Sequence, residues 1–219
     1  MNGIRGAIFD LDGTLIDSLI IWKEIWRKIG VRYFNNENFR PSDEDDKAMR
    51  TMTTAEAMDY THKKYGIGES GKELTEFFSG LLEKFYAEEV KLKEGVKSFL
   101  GYLEDHGVKM CVATATDKKL AKVALKHTGI DAFFDEIISC VDVGCGKDKP
   151  DIYIAAADRL GTAIGETCVF EDSLTAIQTA KNLGMKTVGI FDRNNYGQED
   201  INKTADEYIA EGENLLKLI

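Results

Sequence analysis

The chain has 219 residues, 43% hydrophobic and 30% charged, with 20 glycines and two prolines, a composition that buries a sizeable core and excludes disordered, collagen-like and disulfide-stapled classes. Its 28 Lys and Arg against 38 Asp and Glu give a net charge of −10, a field that repels polyanions, so nucleic acid is not expected as a partner. The four cysteines (Cys111, Cys140, Cys145, Cys168) contain no CxxC pair and the histidines do not cluster, which leaves zinc without a candidate site.

An apolar run over residues 4–9 opens the chain and reads as a strand buried on both faces; it meets Asp10 before a signal-peptide core has room to form. Cys111 and Cys168 sit in short apolar runs as buried thiols, and no apolar stretch approaches the roughly 20 residues of a membrane span, so the expected location is cytoplasmic, with no membrane partner. Residues 17–90 read as almost wholly helical. Ile20, Ile21, Ile25 and Ile29 recur at helical spacing, followed by residues 49–65 and then by Leu74, Phe77, Phe78, Leu81, Leu82 and Phe85, with breaks expected near Gly30, Pro41 and residues 66–68. The acidic cluster at 43–46 suits a helix start. About 90 residues or more therefore separate the first strand from the second, far beyond the dozen or so of a parallel crossover, which implies an insertion.

From residue 91 onward, apolar runs at 108–113, 136–139, 167–170 and 186–191 alternate with helical patterns such as Val96, Phe99, Leu100 and Leu103, and Leu174, Ile177 and Ala180. Gly107, Gly129, Gly161 and Gly184 close these helices, and Asp117 and Ser173 are placed to cap their starts. Such alternation means an α/β fold with a doubly wound parallel sheet. The expected core is residues 1–16 and 91–219, with an all-helical subdomain inserted at 17–90.

Ligands of a parallel sheet bind outside the carboxyl ends of its strands, and here those ends are acidic. The first run leads into Asp10-Leu-Asp12-Gly-Thr14, the second into Thr114-Ala-Thr116-Asp117, and the fourth into Glu171-Asp172-Ser173. Four carboxylates (Asp10, Asp12, Glu171, Asp172) on one edge raise one another's pKa unless a cation lies among them. Oxygen donors without histidine or thiolate favour Mg²⁺ over Zn²⁺. A calcium loop of the EF-hand type is set aside, because its sixth and twelfth positions counted from Asp10 hold Leu15 and Ile21.

Asp10-Leu-Asp-Gly-Thr14, Thr114 ending a strand, Gly146-Lys-Asp-Lys-Pro-Asp-Ile152 and Phe170-Glu-Asp-Ser173 together resemble the four ordered motifs of the haloacid-dehalogenase-like hydrolase superfamily. The insertion after motif one resembles the helical cap of its β-phosphoglucomutase-like and phosphoglycolate-phosphatase-like members. The resemblance implies a Mg²⁺-dependent phosphatase acting on a small phosphorylated metabolite through an aspartyl-phosphate. Asp10 would be the nucleophile and Asp12 the general acid and base, with its backbone carbonyl on the metal. Thr114 and Lys147 would bind the phosphoryl group. Asp10 and Asp172, with Glu171 directly or through water, would complete the metal site. Thr116 competes with Thr114, whose strand-end position favours it, and Lys149 competes with Lys147, which matches the family's Lys-x-x-Pro-Asp pattern. In the cap, Arg50, Lys47 and Lys23 are candidates to reach the substrate's distal groups. The cap is expected to close over the substrate about hinges at 15–17 and 90–94. His62, His106 and His127 read as surface or boundary residues.

Two alternatives share parts of this pattern. A phosphomutase of the β-phosphoglucomutase type needs the same core, but such enzymes place a histidine near the cap's start, and residues 18–30 contain none. A non-catalytic phospho-aspartate receiver module also pairs a doubly wound sheet with Mg²⁺, yet has no use for Asp12 or a large insertion. The protein is expected as a monomer or homodimer.

Overall fold

In the computed structural model, which describes residues 3–49, 52 and 54–219, six parallel strands form one sheet. They are β1 (Gly6–Phe9), β2 (Lys109–Thr114), β3 (Glu136–Ser139), β4 (Thr167–Glu171), β5 (Lys186–Ile190) and β6 (Glu207–Ile209), ordered β3-β2-β1-β4-β5-β6. The chain starts at the centre, works out to β3, then returns to β4 beside β1 and works out to the other edge. That reversal opens a crevice at the carboxyl ends of β1 and β4, where a doubly wound sheet binds ligands.

Among the described residues, four helices follow β1 in the inserted segment: α1 (Ile21–Phe34), α2 (Asp43–Met49), α3 (Thr54–Tyr65) and α4 (Gly71–Glu88). The remaining helices are α5 (Val96–Asp105), α6 (Lys118–Thr128), α7 (Cys140–Val143), α8 (Asp151–Leu160), α9 (Leu174–Leu183) and α10 (Gln198–Thr204). Two compact units result, Met1–Leu19 with Glu89–Ile219, and Ile20–Glu88.

In the α/β unit the strands are apolar on both faces because helices cover both. Ile8, Cys111, Ala113 and Val169 pack with Ile152, Tyr153 and Ala156 of α8 and Ala176 and Ala180 of α9. The opposite face is aromatic: the Phe9 ring stacks on Phe170 at 4.4 Å and meets the edges of Phe99 from α5 and Phe134. Phe9 is fully buried, so Phe9→Ala is expected to cost about 3–5 kcal/mol. Gly129, Gly161 and Gly184 end α6, α8 and α9 in the left-handed conformation, and Asp117 accepts the Lys119 amide at 2.8 Å. Ser173 holds the N-cap position of α9 but makes no side-chain capping bond.

In the helical unit, Ile25, Trp26 and Ile29 of α1 are buried along with Met58, Leu74 and Phe78, and the Trp22 and Phe78 rings lie 5.3 Å apart. The expected break at Gly30 is absent. Helix α1 runs on to Phe34 and ends at Asn35, whose φ is 50°. A Cβ on Gly30 would stand 2.2 Å from the Asn36 carbonyl and 2.4 Å from Phe39 Cβ, so this glycine serves close packing of the following turn rather than helix termination. The run at 49–65 divides, α2 ending at Met49 and α3 starting at Thr54. Strand β6 was not anticipated; it has three residues and a mixed burial pattern, too short for periodicity to register. Among the described residues, no helix is long and apolar enough to cross a membrane.

Candidate active site

The register Phe9↔Phe170 between β1 and β4 makes Asp10 and Glu171 neighbours at the sheet edge, and the Asp10 amide donates to the Phe170 carbonyl at 3.0 Å. Asp172 follows at once. One carboxylate oxygen from each of Asp10, Glu171 and Asp172 lies within 4.8 Å of the others, and the three residues are only 7%, 1% and 4% exposed. From the loop between α7 and α8, the Lys147 ammonium donates to Asp10 Oδ1 and, at 2.5 Å, to Glu171 Oε1. Lys147 thus bonds two of the three buried carboxylates, while Asp172 feels the more distant charge of Lys93.

The electrostatics follow from that mismatch. Burial pushes the Asp10 carboxyl up to about 7; Lys147 opposes the rise, and Glu171 and Asp12 add to it. Asp172 is raised well above the ordinary carboxylate range, by burial first and then by Glu171 and Asp10. Burial also works against the charge of Lys147, but Asp10 and Glu171 outweigh it and hold the ammonium well above its ordinary value.

Backbone and amide groups hold the cluster in place. Glu171 Oε2 accepts the Ser173 amide at 3.0 Å. The Asn195 side-chain amide donates to the Asp172 carbonyl at 2.9 Å and to Asp172 Oδ2 at 2.8 Å. Asn195 was not anticipated; its only signal was its place just beyond the carboxyl end of β5. Gly13, at φ +83°, lets the loop after β1 lie against the cluster, since a Cβ there would sit 2.3 Å from Asp172 Oδ2 and 2.9 Å from Leu19 Cδ1.

The Asp12 carboxylate is outside this three-acid group. Its Oδ1 accepts the Ser18 hydroxyl at 2.6 Å and its Oδ2 the Thr116 hydroxyl at 2.7 Å. Thr114, fully buried at the end of β2, accepts the Thr116 amide on Oγ1 at 3.0 Å. The two threonines that compete in the sequence therefore separate: Thr116 reaches Asp12, and Thr114 shapes the loop. Lys149 is exposed and lies 3.8 Å from its neighbour Asp148, whereas Lys147 reaches the acids. His106 and His127 are exposed and His62 half-buried. Arg50 lies outside the described residues.

This arrangement combines a buried carboxylate on the central strand, an ammonium bonded to it, two further hard oxygen donors and a separately held acid two residues on. Comparison with known proteins places the chain in a family. The family model of the haloacid dehalogenase-like hydrolases matches residues 7–190. The chain is 24% identical over 186 residues to a phosphorylated carbohydrates phosphatase of Thermotoga maritima, covering 84% of each. It is also 24% identical over 202 residues to the β-phosphoglucomutase of Bacillus subtilis, covering 85% of this chain and 83% of that one. The solved structure of CbbY from Rhodobacter sphaeroides in complex with phosphate superposes with a TM-score of 0.76 at 20% identity, covering 94% of this chain and 93% of the other. With the match spanning most of its length, this chain belongs to the haloacid dehalogenase-like hydrolases.

Proposed function

We propose that this protein hydrolyses the phosphomonoester of a small phosphorylated metabolite, with Asp10 as nucleophile and Mg²⁺ as cofactor. One observation carries the proposal: Asp10 stands at the end of the central strand bonded to Lys147, in a group with Glu171 and Asp172, while Asp12 is held apart. The donor set fits a hard divalent cation, being oxygen alone and short of positive charge. Asp10, Asp172, Glu171 and the Asp12 carbonyl would hold it. When bound, the cation offsets the repulsion between an anionic nucleophile and an anionic substrate.

The chain's own groups then divide the work. An Asp10 oxygen attacks phosphorus and the bond to the leaving oxygen breaks, with Asp12 delivering the proton that the leaving group takes up. In the second half, Asp12 accepts a proton from the water that attacks the aspartyl-phosphate, releasing inorganic phosphate and restoring Asp10. Lys147 offers its charge to the transferring phosphoryl oxygens, and Thr114 would offer its hydroxyl and neighbouring amides. The helical unit is the cap of this family, and substrate selection resides there. Hydrolysis is favoured over phosphoryl transfer to a second sugar position because residues 18–30 carry no histidine. A receiver-type switch is disfavoured by the presence of Asp12, which makes the phospho-aspartate labile.

The test is turnover of p-nitrophenyl phosphate with Mg²⁺. Activity that chelator abolishes and added Mg²⁺ restores supports the proposal; turnover indifferent to chelator contradicts it. A screen of phosphorylated sugars, the class named for the Thermotoga relative, then identifies the substrate.

A further inference from the structure

We infer that Ser18 and Thr116 are positioning residues that hold Asp12 through both protonation states of its cycle; this rests on the proposed role of Asp12 as acid and base. Each Asp12 oxygen accepts one hydroxyl, Ser18 at 2.6 Å and Thr116 at 2.7 Å, from positions 6 and 104 residues away along the chain.

The type of partner is informative. Asp10 is held by an ammonium and Asp172 by a side-chain amide, groups that only donate at the atoms involved. A hydroxyl donates and accepts, and it turns to suit. Asp12 as a carboxylate takes two hydroxyl donors; as a carboxylic acid it gives a hydrogen bond to one hydroxyl and takes one from the other. With donor-only groups in both places, one of them would lose its bond whenever the carboxyl is protonated.

Both donors are themselves anchored. The Thr116 amide donates to Thr114 Oγ1 at 3.0 Å. Ser18 is 1% exposed and follows a segment stitched to the return linker: Asp17 N–H donates to the Lys91 carbonyl at 2.9 Å, and Lys93 N–H to the Leu15 carbonyl at 3.0 Å. Removing one hydroxyl leaves the backbone in place and takes away one of the two hydroxyl bonds that orient the Asp12 carboxyl. Misplacing an acid in this way costs on the order of 10–100-fold where its proton is needed.

The experiment compares kcat/KM for p-nitrophenyl phosphate, whose leaving group departs without a proton, with that for glycerol 1-phosphate, whose alkoxide requires one. Because kcat/KM reports on steps through leaving-group departure, the later need for a base does not enter. Thr116→Val and Ser18→Ala are expected to lower kcat/KM on the alkyl ester by ~10–100-fold and at least ~10 times more than on the aryl ester, with Thr116→Ser restoring the wild-type ratio. Equal losses on both esters, or no loss on either, overturn the inference, and thermal melting of each variant separates misfolding from misplacement. Should the wild type hydrolyse neither ester, or should Asp10→Asn turn over like wild type, the catalytic proposal itself fails and this inference falls with it.

Discussion

Two buried acid sites, one in each unit, are treated in opposite ways. In the helical unit, Asp45 is 3% exposed and takes hydrogen bonds from Lys64, from Tyr60 at 2.6 Å and from Tyr65 at 2.5 Å. Lys64 first, then the two tyrosines, hold its carboxyl well below the ordinary range. At the sheet edge, Lys147 bonds Asp10 and Glu171 but not Asp172, and burial pushes Asp10 and Asp172 upward instead. A buried charge that is fully bonded supports folding, whereas one left short of counter-charge costs stability unless a ligand supplies what is missing. Asp45 ties α2 to α3, whereas Asp10 and Asp172 are left short of counter-charge.

Substitution at each site tests that contrast. Asp10→Asn is expected to lower turnover of p-nitrophenyl phosphate by about 10⁴-fold or more, the scale of losing a nucleophile, while the metal-free melting temperature holds or rises because a poorly compensated buried charge is gone. Gly13→Ala comes next, with a loss of about 10²-fold from a displaced Asp172 and weaker Mg²⁺ binding by isothermal calorimetry. Asp45→Asn should do the reverse of Asp10→Asn, lowering the melting temperature by several degrees and turnover by no more than about threefold.

The pH response sharpens the same comparison and is the smallest effect. Between the ordinary carboxylate pKa near about 4 and the folded value of about 7 for Asp10, the folded, metal-free protein binds a proton that the unfolded chain has released. Stability therefore falls as pH rises through that window. Asp45, depressed on folding, contributes stability above about 4 that is lost as pH drops below it. Calorimetric melts across pH should show the neutral-side fall in metal-free wild type, its reduction in Asp10→Asn, and its removal by Mg²⁺; a wild-type melting temperature that rises steadily from pH 4 to 7 without metal would contradict the assignment.

Much of the α/β unit was legible because local pattern and global topology agree there. The run before Asp10 is apolar on both faces since helices cover both, and the acids follow directly on strand ends, so sequence position alone puts them at one edge. What escaped depended on contacts between distant segments. Asn195 reaches Asp172 from a loop after β5, and Ser18 reaches Asp12 by a turn of six residues; neither has periodicity or a motif to mark it. The aspartates themselves were legible, but the division of Thr114 from Thr116 needed the path of the loop. Gly30 misled because a glycine within a helical pattern marks either an end or a close approach, and only the packing of Phe39 distinguishes them. Strand β6 borrows its order from pairing with β5 rather than from its own three residues.

The nucleophile is tested most directly by acid quench during turnover of p-nitrophenyl phosphate followed by peptide mass spectrometry. A single phosphoryl group on the peptide carrying Asp10, absent from Asp10→Asn, is the expected result. Phosphorylation elsewhere, or sustained turnover by Asp10→Asn with no acyl phosphate trapped, would show that the strand-end carboxylates do not perform the chemistry assigned to them.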